Sequence, residues 1–445
     1  MSATFGALRN TTRGALKVQF FLTRPTYRLG YDAIWRRFGG FHSLAIPVLL
    51  ALTPDSVESE VVDQSDTAAV TRPADIAAVS FMTSHAPAAF ALCDELRRTG
   101  KTVVLGGIHA SALPDEALQH ADVVAIGAGE HTWPLILRDF ALGRLKSKYI
   151  DTTVGSLAEQ PRARHDLMPH HGLRRLVLPI QTTRGCPYDC DFCSITAVFG
   201  RSYHMRPIDT VIAEIADTSA DFIALVDDNI AVNRRYAADL FTRLIPLRKR
   251  WVSQSDISIA NDDELLALAA KAGCVALLFG LESISQLELD AVGKGNRKSE
   301  EYLHLLRKVH RHGIMTIASF IVGLDGQTPD VFERTVSFAR KAGVAYAYMP
   351  ILTPYPGTRL RDRLSREGRL LHTDWSKYDG SNVVFEPRGM TKEELRAGWV
   401  WAKSEIASAR SILDRLRTAP VRLRYSIPFN AGYWLQTLPD RLARR

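Results

Sequence analysis

The chain has 445 residues, of which 46% are hydrophobic and 23% are charged, enough for two or three globular domains with ordinary cores. Five cysteines in this length do not make a disulfide framework, and no stretch of about 18 uncharged apolar residues occurs that would span a bilayer. The net charge of +8 comes from the two ends, so the body of the chain is not that of a nucleic-acid-binding protein. The first 20 residues lack the apolar core and cleavage site of a signal peptide, and we expect a cytoplasmic protein.

Residues 1–150 alternate strands with helices. Apolar runs predict strands at Val18–Thr23, Ser59–Asp63, Ile76–Phe81, Thr102–Leu105 and Val123–Ile126. Apolar residues at helical spacing predict helices at Leu44–Leu52, Ala88–Arg98, Pro114–Gln119 and His131–Leu142. This α/β alternation predicts a doubly wound parallel sheet, in which ligands lie beyond the carboxyl ends of the strands. Those ends are Ser80–Thr83, Gly106–His109 and Gly127–His131.

Residues 151–176 are rich in Pro, His and Arg and predict a linker, after which a longer α/β series begins. Its strands are predicted at Val177–Thr183, Phe222–Val226, Val252–Ser258, Val275–Gly280, Met315–Val322 and Tyr346–Ile351. Its helices are predicted at Ile208–Asp217, Arg235–Lys249, Asp262–Ala272, Glu300–His312 and Pro329–Ala342. The series predicts a partial (β/α)6 TIM-type barrel over residues 177–370, with its site at the carboxyl ends of the strands.

Residues 371–445 predict a small, mostly helical cap with a basic tail. Trp375 and Tyr378 precede a Phe385-Glu-Pro turn, and a single helix is predicted at Lys392–Arg415. The two aromatic residues fit either the lining of a substrate pocket or an ordinary packed aromatic corner.

The first barrel strand leads into a loop with three closely spaced cysteines, Thr183-Arg-Gly-Cys-Pro-Tyr-Asp-Cys-Asp-Phe-Cys-Ser194. A cubane iron–sulfur cluster normally takes four cysteine ligands, so Cys186, Cys190 and Cys193 would leave one iron free for a substrate-like molecule. A structural zinc ion would need a fourth Cys or His at ligand spacing, and the nearest histidines, His171 and His204, do not provide it.

The C-x3-C-x2-C spacing, with an aromatic residue (Phe192) before the last cysteine, resembles the signature of the radical S-adenosylmethionine (SAM) enzymes. The resemblance implies a 4Fe-4S cluster on the three cysteines at the top of an open barrel, with SAM bound to the free iron. It also implies a 5′-deoxyadenosyl radical that removes a hydrogen atom from an unactivated carbon.

The resemblance assigns SAM contacts to four further strand ends. Asp227 or Asp228 would receive the ammonium of the methionine moiety, while the next residue, Asn229, suits an N-cap for the following helix. The third strand ends near Asp256 and Ser258, where ribose contacts are expected. Glu282, in a Gly-Leu-Glu-Ser element, and Gly323, on the strand against the adenine, complete the set.

Two segments of the first α/β series, Val103–Ala110 and Ala121–Glu130, resemble the cobalamin-binding domain that precedes many radical SAM cores. Gly106, Gly107 and Gly127 would let the backbone approach a corrin closely, and His109 is a further candidate contact. No Asp-x-His-x-x-Gly motif, which carries the cobalt-ligating histidine of other cobalamin enzymes, occurs in residues 1–150. The alternative is a sheet domain that binds no ligand.

The Pro354-Tyr-Pro-Gly-Thr358 turn resembles the branch that includes bacteriochlorophyll- and hopanoid-modifying enzymes. We therefore expect cobalamin-dependent C-methylation of a small secondary-metabolite or lipid-like substrate, with an external electron donor such as a flavodoxin or ferredoxin. Two alternatives stay open. One is a radical SAM enzyme that cyclises or rearranges a ring without methyl transfer, and the other is an Fe–S redox or sensor protein.

The ends of the chain suggest a second kind of partner. Residues 1–40 hold seven Lys or Arg and one Asp, and residues 408–445 hold eight Arg and two Asp, so each end has a net charge of +6. Both ends interleave aromatic residues with these cations: Tyr27, Tyr31, Trp35, Tyr425, Phe429, Tyr433 and Trp434. The pattern fits either peripheral contact with an anionic membrane or solvated termini, and nucleic acid is not expected.

Overall fold

The computed structural model describes residues 15–23, 43–169 and 177–437. Most of the basic amino-terminal segment, including Tyr27, Tyr31 and Trp35, lies outside the described residues, as do the end of the predicted linker and residues 438–445. In the described part, two parallel α/β units are followed by a group of helices.

The first unit is a parallel sheet with strand order β2-β1-β3-β4-β5-β6. Its strands are β1 Lys17–Leu22, β2 Glu58–Asp63, β3 Ile76–Ser80, β4 Thr102–Gly106, β5 Val123–Ile126 and β6 Lys148–Ile150. The order reverses between β1 and β3, which is the point where a doubly wound sheet opens a crevice at its carboxyl edge. The predicted doubly wound sheet is confirmed, with β6 as an additional strand.

Helices cover both faces of this sheet, because its strands are apolar on both sides. They are α1 Ala45–Leu52, α2 Ala86–Arg98, α3 Ile108–Ala112, α4 Pro114–His120 and α5 Gly129–Ala141. Helix α2 carries a proline in its first turn, where the missing N–H would be unpaired in any case. The short α3 was not predicted, since five residues are too few to show a helical period.

The second unit is a parallel sheet with strand order β7-β10-β11-β12-β13-β14, which follows the chain. Its strands are β7 Val177–Ile180, β10 Phe222–Leu225, β11 Arg250–Ser255, β12 Cys274–Glu282, β13 Met315–Phe320 and β14 Tyr346–Tyr348. Strands β7 and β14 form the two edges, as in an open partial barrel. A separate antiparallel pair, β8 Thr183–Gly185 and β9 Tyr203–Met205, brackets the cysteine loop. The predicted partial barrel is confirmed, and the pair β8–β9 was missed.

The helices of the barrel pack on the sheet around one large core, except for the short helix after the cysteine loop, which has no buried residue. They are α6 Ser194–Phe199, α7 Ile208–Asp217, α8 Arg234–Leu244, α9 Asp263–Lys271, α10 Gln286–Ala291, α11 Tyr302–Arg311, α12 Val331–Ala342 and α13 Arg359–Arg366. The prediction that α8 continues to Lys249 is wrong. A 3-10 turn at Ile245–Leu247, which contains Pro246, and a left-handed Arg248 end the helix early.

The carboxyl-terminal helices are α14 Lys392–Ile406, α15 Ala409–Thr418 and α16 Leu423–Gln436. The prediction of one helix at Lys392–Arg415 is wrong, because the Ser408 side chain accepts a hydrogen bond from Ser411 N–H (3.1 Å) and starts a new helix. Arg415, 2% exposed, ties α15 to the barrel by donating to the carbonyls of Val344 and Ala345.

None of the described helices combines the length and the apolar composition that crossing a bilayer requires.

Candidate functional site

The three loop cysteines form no disulfide, and each is partly exposed. They lie near enough to influence one another: burial raises the pKa of Cys190 to about 12, and the neighbouring thiols Cys193 and Cys186 add to that shift. Burial likewise raises the pKa of Cys186. Burial thus disfavours the thiolate form of Cys186 and Cys190, and the iron ions of a cluster would supply the positive charge that favours it.

No three His, Cys, Asp or Glu side chains converge on a single-ion site within the described part of the chain. This is compatible with a cubane, because each cysteine of a cubane binds a different iron. Phe192 packs against the barrel core and fixes the loop between the second and third cysteines.

Two aspartates at the end of β10 hold the segment that enters this loop. Asp227, 4% exposed, accepts hydrogen bonds from Thr182 N–H (2.7 Å), Thr183 N–H (2.8 Å) and the Thr182 hydroxyl. Asp228 accepts from Gly185 N–H (2.7 Å), directly before the first cysteine. Burial raises the pKa of Asp227 to about 7 even though these bonds oppose the shift. Asp228 is the less buried of the two and is better placed to receive an ammonium.

The capping role expected of Asn229 is wrong. Its side-chain oxygen accepts a hydrogen bond from Asp256 N–H (3.0 Å) and so joins the ends of β10 and β11. The N-cap of α8 is Asn233, whose side chain accepts from Tyr236 N–H (2.9 Å). Sequence reasoning could not distinguish two asparagines four positions apart.

Ion pairs clamp the outer side of the cysteine loop to helix α13. Arg359 contacts the Asp189 carboxylate (2.8 Å), and Arg363 contacts Asp191 (3.3 Å). Backbone bonds add to the clamp, because Leu360 N–H donates to the Asp191 carbonyl (3.0 Å). The loop is thus held on one side by β10 and on the other by the helix that follows the Pro-Tyr-Pro-Gly-Thr turn.

Glu282 ends β12 with a left-handed backbone, φ 63°, which is rare for a side chain of this size. Its carboxylate pairs with Lys294 (2.9 Å), and both side chains are 11% exposed. Burial opposes the charge of Lys294, but the Glu282 and Cys190 side chains outweigh it and raise the pKa of Lys294. A strained, buried ion pair beside a cysteine of the loop is typical of a binding site.

The end of β11 contributes Asp256 and, two residues on, Ser258. Asp256 pairs with Arg297 (2.6 Å), whose guanidinium also lies 4.4 Å from the ring centroid of Tyr188 in the cysteine loop. Ser258 donates its backbone N–H to the Asp256 carboxylate (2.9 Å). The Asp256 carboxylate is thus already engaged by two partners. The ribose contact predicted at Ser258 stays a prediction.

Gly323 lies beyond the end of β13 and faces the cap. Its backbone is left-handed (φ 94°), and a Cβ there would come within 2.9 Å of the Leu395 side chain and 3.2 Å of Phe385. The Gln327 side chain accepts from Gly323 N–H (2.7 Å). Close packing of the cap requires glycine here, and the adenine contact stays a prediction.

A cavity of about 540 Å³ opens at the carboxyl edge of the first sheet. Gly106, Gly107 and Gly127 line it together with apolar side chains of β1, β3 and α1. Gly107 (φ 97°) admits no side chain, because a Cβ would lie 2.6 Å from the Phe81 carbonyl oxygen. Narrow glycine walls and apolar surface fit a large flat ligand such as a corrin.

The opposite wall of this cavity comes from the barrel. Arg184, Ile195, Phe199 and Val226 line it, and two of these residues lie on α6, which starts directly after Cys193. The two α/β units therefore enclose one common space, and the helix that follows the cysteine loop forms part of its wall.

One ion pair crosses this space. Arg184, two residues before Cys186, pairs with Glu130 at the start of α5 (2.5 Å), and the side chains are 12% and 9% exposed. Arg184 also donates to the Gln181 side chain (2.8 Å). Both residues lie inside the sequence motifs given above, but nothing in the sequence links two positions that are 54 residues apart.

His109 is not among the residues that line the cavity. It is fully buried between Phe81, Phe90 and Trp375, and burial, with a contribution from the charge of Arg361, lowers its pKa to about 4. Its Nε2 lies 3.8 Å from Glu116, which accepts a hydrogen bond from Trp375. The cobalamin contact at His109 stays a prediction, and the observed contacts join the first sheet to the cap.

Trp375 and Tyr378 belong to the same aromatic corner. Their ring centroids lie 4.9 Å apart, and the Arg361 guanidinium stacks on both rings. Tyr378 is fully buried and donates to the His372 carbonyl (2.6 Å). These contacts are those of an ordinary packed aromatic corner, which is one of the two interpretations that the sequence allowed for Trp375 and Tyr378.

Comparison with known proteins identifies three segments. Residues 180–339 match the radical SAM superfamily, residues 48–137 match the B12 binding domain, and residues 358–427 match a domain of unknown function. The chain is 27% identical over 364 residues to a bacteriochlorophyllide d C-12(1)-methyltransferase of Chlorobaculum tepidum, covering 80% of this chain and 79% of the relative. It is 29% identical over 356 residues to a hopanoid C-2 methylase of Rhodopseudomonas palustris, covering 76% of this chain and 66% of the relative.

Among solved structures, the fold is shared with OxsB, a cobalamin-dependent S-adenosylmethionine radical enzyme. The two superpose with a TM-score of 0.68 at 14% identity, over 94% of this chain and 72% of OxsB. The α/β architecture of both units and their succession along the chain are thus found together in a known structure.

Proposed function

The chain belongs to the cobalamin-binding branch of the radical SAM superfamily, and on that premise we propose that it methylates an unactivated carbon of a lipid-like or secondary-metabolite substrate. It is an enzyme, and its cofactors are a 4Fe-4S cluster, SAM and cobalamin. We further propose Cys186, Cys190 and Cys193 as the cluster ligands.

The observation that carries the proposal is the common cavity of about 540 Å³. Its glycine-lined wall suits a corrin, and its other wall includes the helix that follows the last cysteine. Methyl transfer to a substrate radical needs both reaction centres close to one substrate, because a radical must react before it escapes or is quenched. A shared cavity supports that arrangement.

When bound, the reduced cluster supplies the electron that cleaves SAM to methionine and a 5′-deoxyadenosyl radical, and methylcobalamin supplies the methyl group. The chain's own residues position these reactants. Asp228 accepts the ammonium of SAM, and Glu282 with Lys294 forms a second, charged contact surface beside the loop. Arg184 and Glu130 hold the two walls of the cavity at a fixed separation.

The substrate class rests on two supports. The cavity is mostly apolar, with side chains such as Phe20, Leu49, Met82 and Phe199 along its walls. The relatives named above act, by their names, on a bacteriochlorophyllide and on a hopanoid. An external electron donor of the flavodoxin or ferredoxin type would reduce the cluster.

The test is anaerobic. The protein is reconstituted with iron and sulfide, given SAM and dithionite with and without hydroxocobalamin, and analysed for products and bound cofactors. We expect 5′-deoxyadenosine, about one bound cobalamin per chain, and a methylated acceptor when lipid extracts are supplied.

Other outcomes discriminate between the alternatives. SAM cleavage without bound cobalamin would contradict methyl transfer and favour a ring-forming or rearranging enzyme. An intact cluster that cleaves no SAM, even with candidate substrates present, would contradict the radical mechanism and favour a redox protein.

A further inference from the structure

Helix α16, Leu423–Gln436, exposes an apolar face. Its large exposed side chains are Leu423, Ile427, Trp434 and Leu435, with exposed fractions of 41%, 52%, 37% and 51%. Pro428 and Ala431 are exposed between them, so the face is continuous over three turns of the helix. A contiguous exposed apolar stripe of this length indicates a contact surface.

The opposite face of α16 is firmly packed, so the exposed face cannot turn inward. Tyr433 stacks on Tyr346 of β14 at 3.7 Å between ring centroids, and Tyr425 meets Phe222 edge to face. Asn430 accepts a hydrogen bond from the buried Arg415 (3.0 Å). The helix is therefore apolar on both sides, and an apolar helix face exposed to water is typical of a contact surface.

The charges around the exposed face favour an anionic cover. Arg410, Arg417 and Arg424 are exposed on α15 and α16, and no Asp or Glu occurs between residues 415 and 437. Asp414 is neutralised by Arg340 (2.5 Å). The chain continues beyond the helix with three more arginines, at positions 441, 444 and 445, and a single aspartate at 440.

We propose that α16 is a membrane-docking face, which lies in the plane of an anionic bilayer and places Leu423, Ile427 and Trp434 in its interfacial region. Apolar side chains flanked by arginines, with a tryptophan at one end, are the composition that binds at the boundary between head groups and acyl chains. The arginines contribute long-range attraction to anionic head groups, and the apolar face contributes the insertion.

This proposal is independent of the proposed reaction, because membrane binding needs no cluster, SAM or cobalamin. It goes beyond that reaction by bringing the enzyme to the surface where a lipid-like substrate is dissolved. A second copy of the chain is the other candidate cover, and the experiment separates the two.

The experiment is co-sedimentation of the full-length protein with vesicles of phosphatidylcholine, with and without phosphatidylglycerol. We expect binding to the anionic vesicles and weak binding to the neutral ones. Raising NaCl from about 0.1 M to about 1 M, which shortens the Debye length from about 10 Å to about 3 Å, should remove most of the binding. Ile427→Glu should weaken it roughly tenfold or more.

The matched control is Leu142→Glu. Leu142 is 49% exposed, close to the 52% of Ile427, but lies at the end of α5 in the first unit. This variant should bind like the unaltered protein. Brominated lipids should quench the fluorescence of the unaltered protein, and Trp434→Phe should lose that quenching.

Three results would overturn the proposal. The first is no binding to anionic vesicles, and the second is equal binding by the Ile427→Glu and Leu142→Glu variants. The third is a concentration-dependent dimer in sedimentation that Ile427→Glu abolishes while vesicles are not bound, since a second copy would then be the cover.

Discussion

The two regions proposed to hold cofactors are built on opposite physical principles. The wall of the cavity that we propose for a corrin consists of glycines and apolar side chains, with shape as its main property. The cysteine loop is held mainly by polar contacts, through Asp227, Asp228, Arg359 and Arg363, with Phe192 packed on the barrel core. A large ligand with a neutral surface is thus accommodated by small residues, whereas a loop proposed to carry a charged cluster is fixed by hydrogen bonds and ion pairs.

The largest expected effect is on the charged side. Cys190→Ala should abolish cluster assembly and SAM cleavage, because two thiolates cannot retain a cubane. The iron and sulfide content after reconstitution measures cluster assembly. Cys93→Ala, which removes a buried cysteine of α2 in the first unit, should leave iron content unchanged. Full iron content and activity in Cys190→Ala would refute the assignment of the loop.

Gly107→Ala tests the shape-determined side. The left-handed backbone and the 2.6 Å approach to the Phe81 carbonyl should together lower the free energy of unfolding by about 2–4 kcal/mol. The same distortion should weaken cobalamin binding. Cobalamin affinity, measured by absorbance, should fall while iron content is retained. Gly100→Ala has a similar φ of 83° but nothing within 4 Å of its Cβ, so it should cost only the backbone strain and keep cobalamin.

Glu130→Gln tests the link between the two regions. Removing one charge of this nearly buried pair should lower the free energy of unfolding by about 2 kcal/mol and weaken cobalamin binding. The control is Asp217→Asn, which breaks the exposed pair with Arg162 and should cost at most about 1 kcal/mol. Equal effects in the two variants would mean that the Arg184–Glu130 pair is an ordinary surface pair.

The smallest effect is expected at Glu282. Glu282→Ala leaves the three cysteines in place, so the cluster should assemble, but the Lys294 charge loses its partner. SAM affinity should fall about tenfold, or about 1.4 kcal/mol. Equilibrium binding of SAM to the reconstituted protein measures it, and an unchanged affinity would remove Glu282 from the site.

Much of the fold could be predicted because strand and helix periods are local. The runs at Ile76–Val79 and Val123–Ile126 are apolar without interruption, as buried parallel strands are, and both appear in strands. The errors fall where a tertiary contact or one capping side chain decides. Ser408 divides a helix that the apolar spacing continues, and the strand pair β8–β9 exists only because the chain returns after the cysteine loop.

The sequence by itself determined the two α/β series and the cysteine loop, because the spacing of apolar residues and of three ligands is contained in short segments. It could not decide which polar side chains are free. Asp227 is consumed by backbone N–H groups 45 residues earlier in the chain, and His109 is enclosed by the cap. The pairings of Glu130 with Arg184 and of Glu282 with Lys294 depend on how the units pack, since only packing brings distant charges together and removes the water that would weaken them.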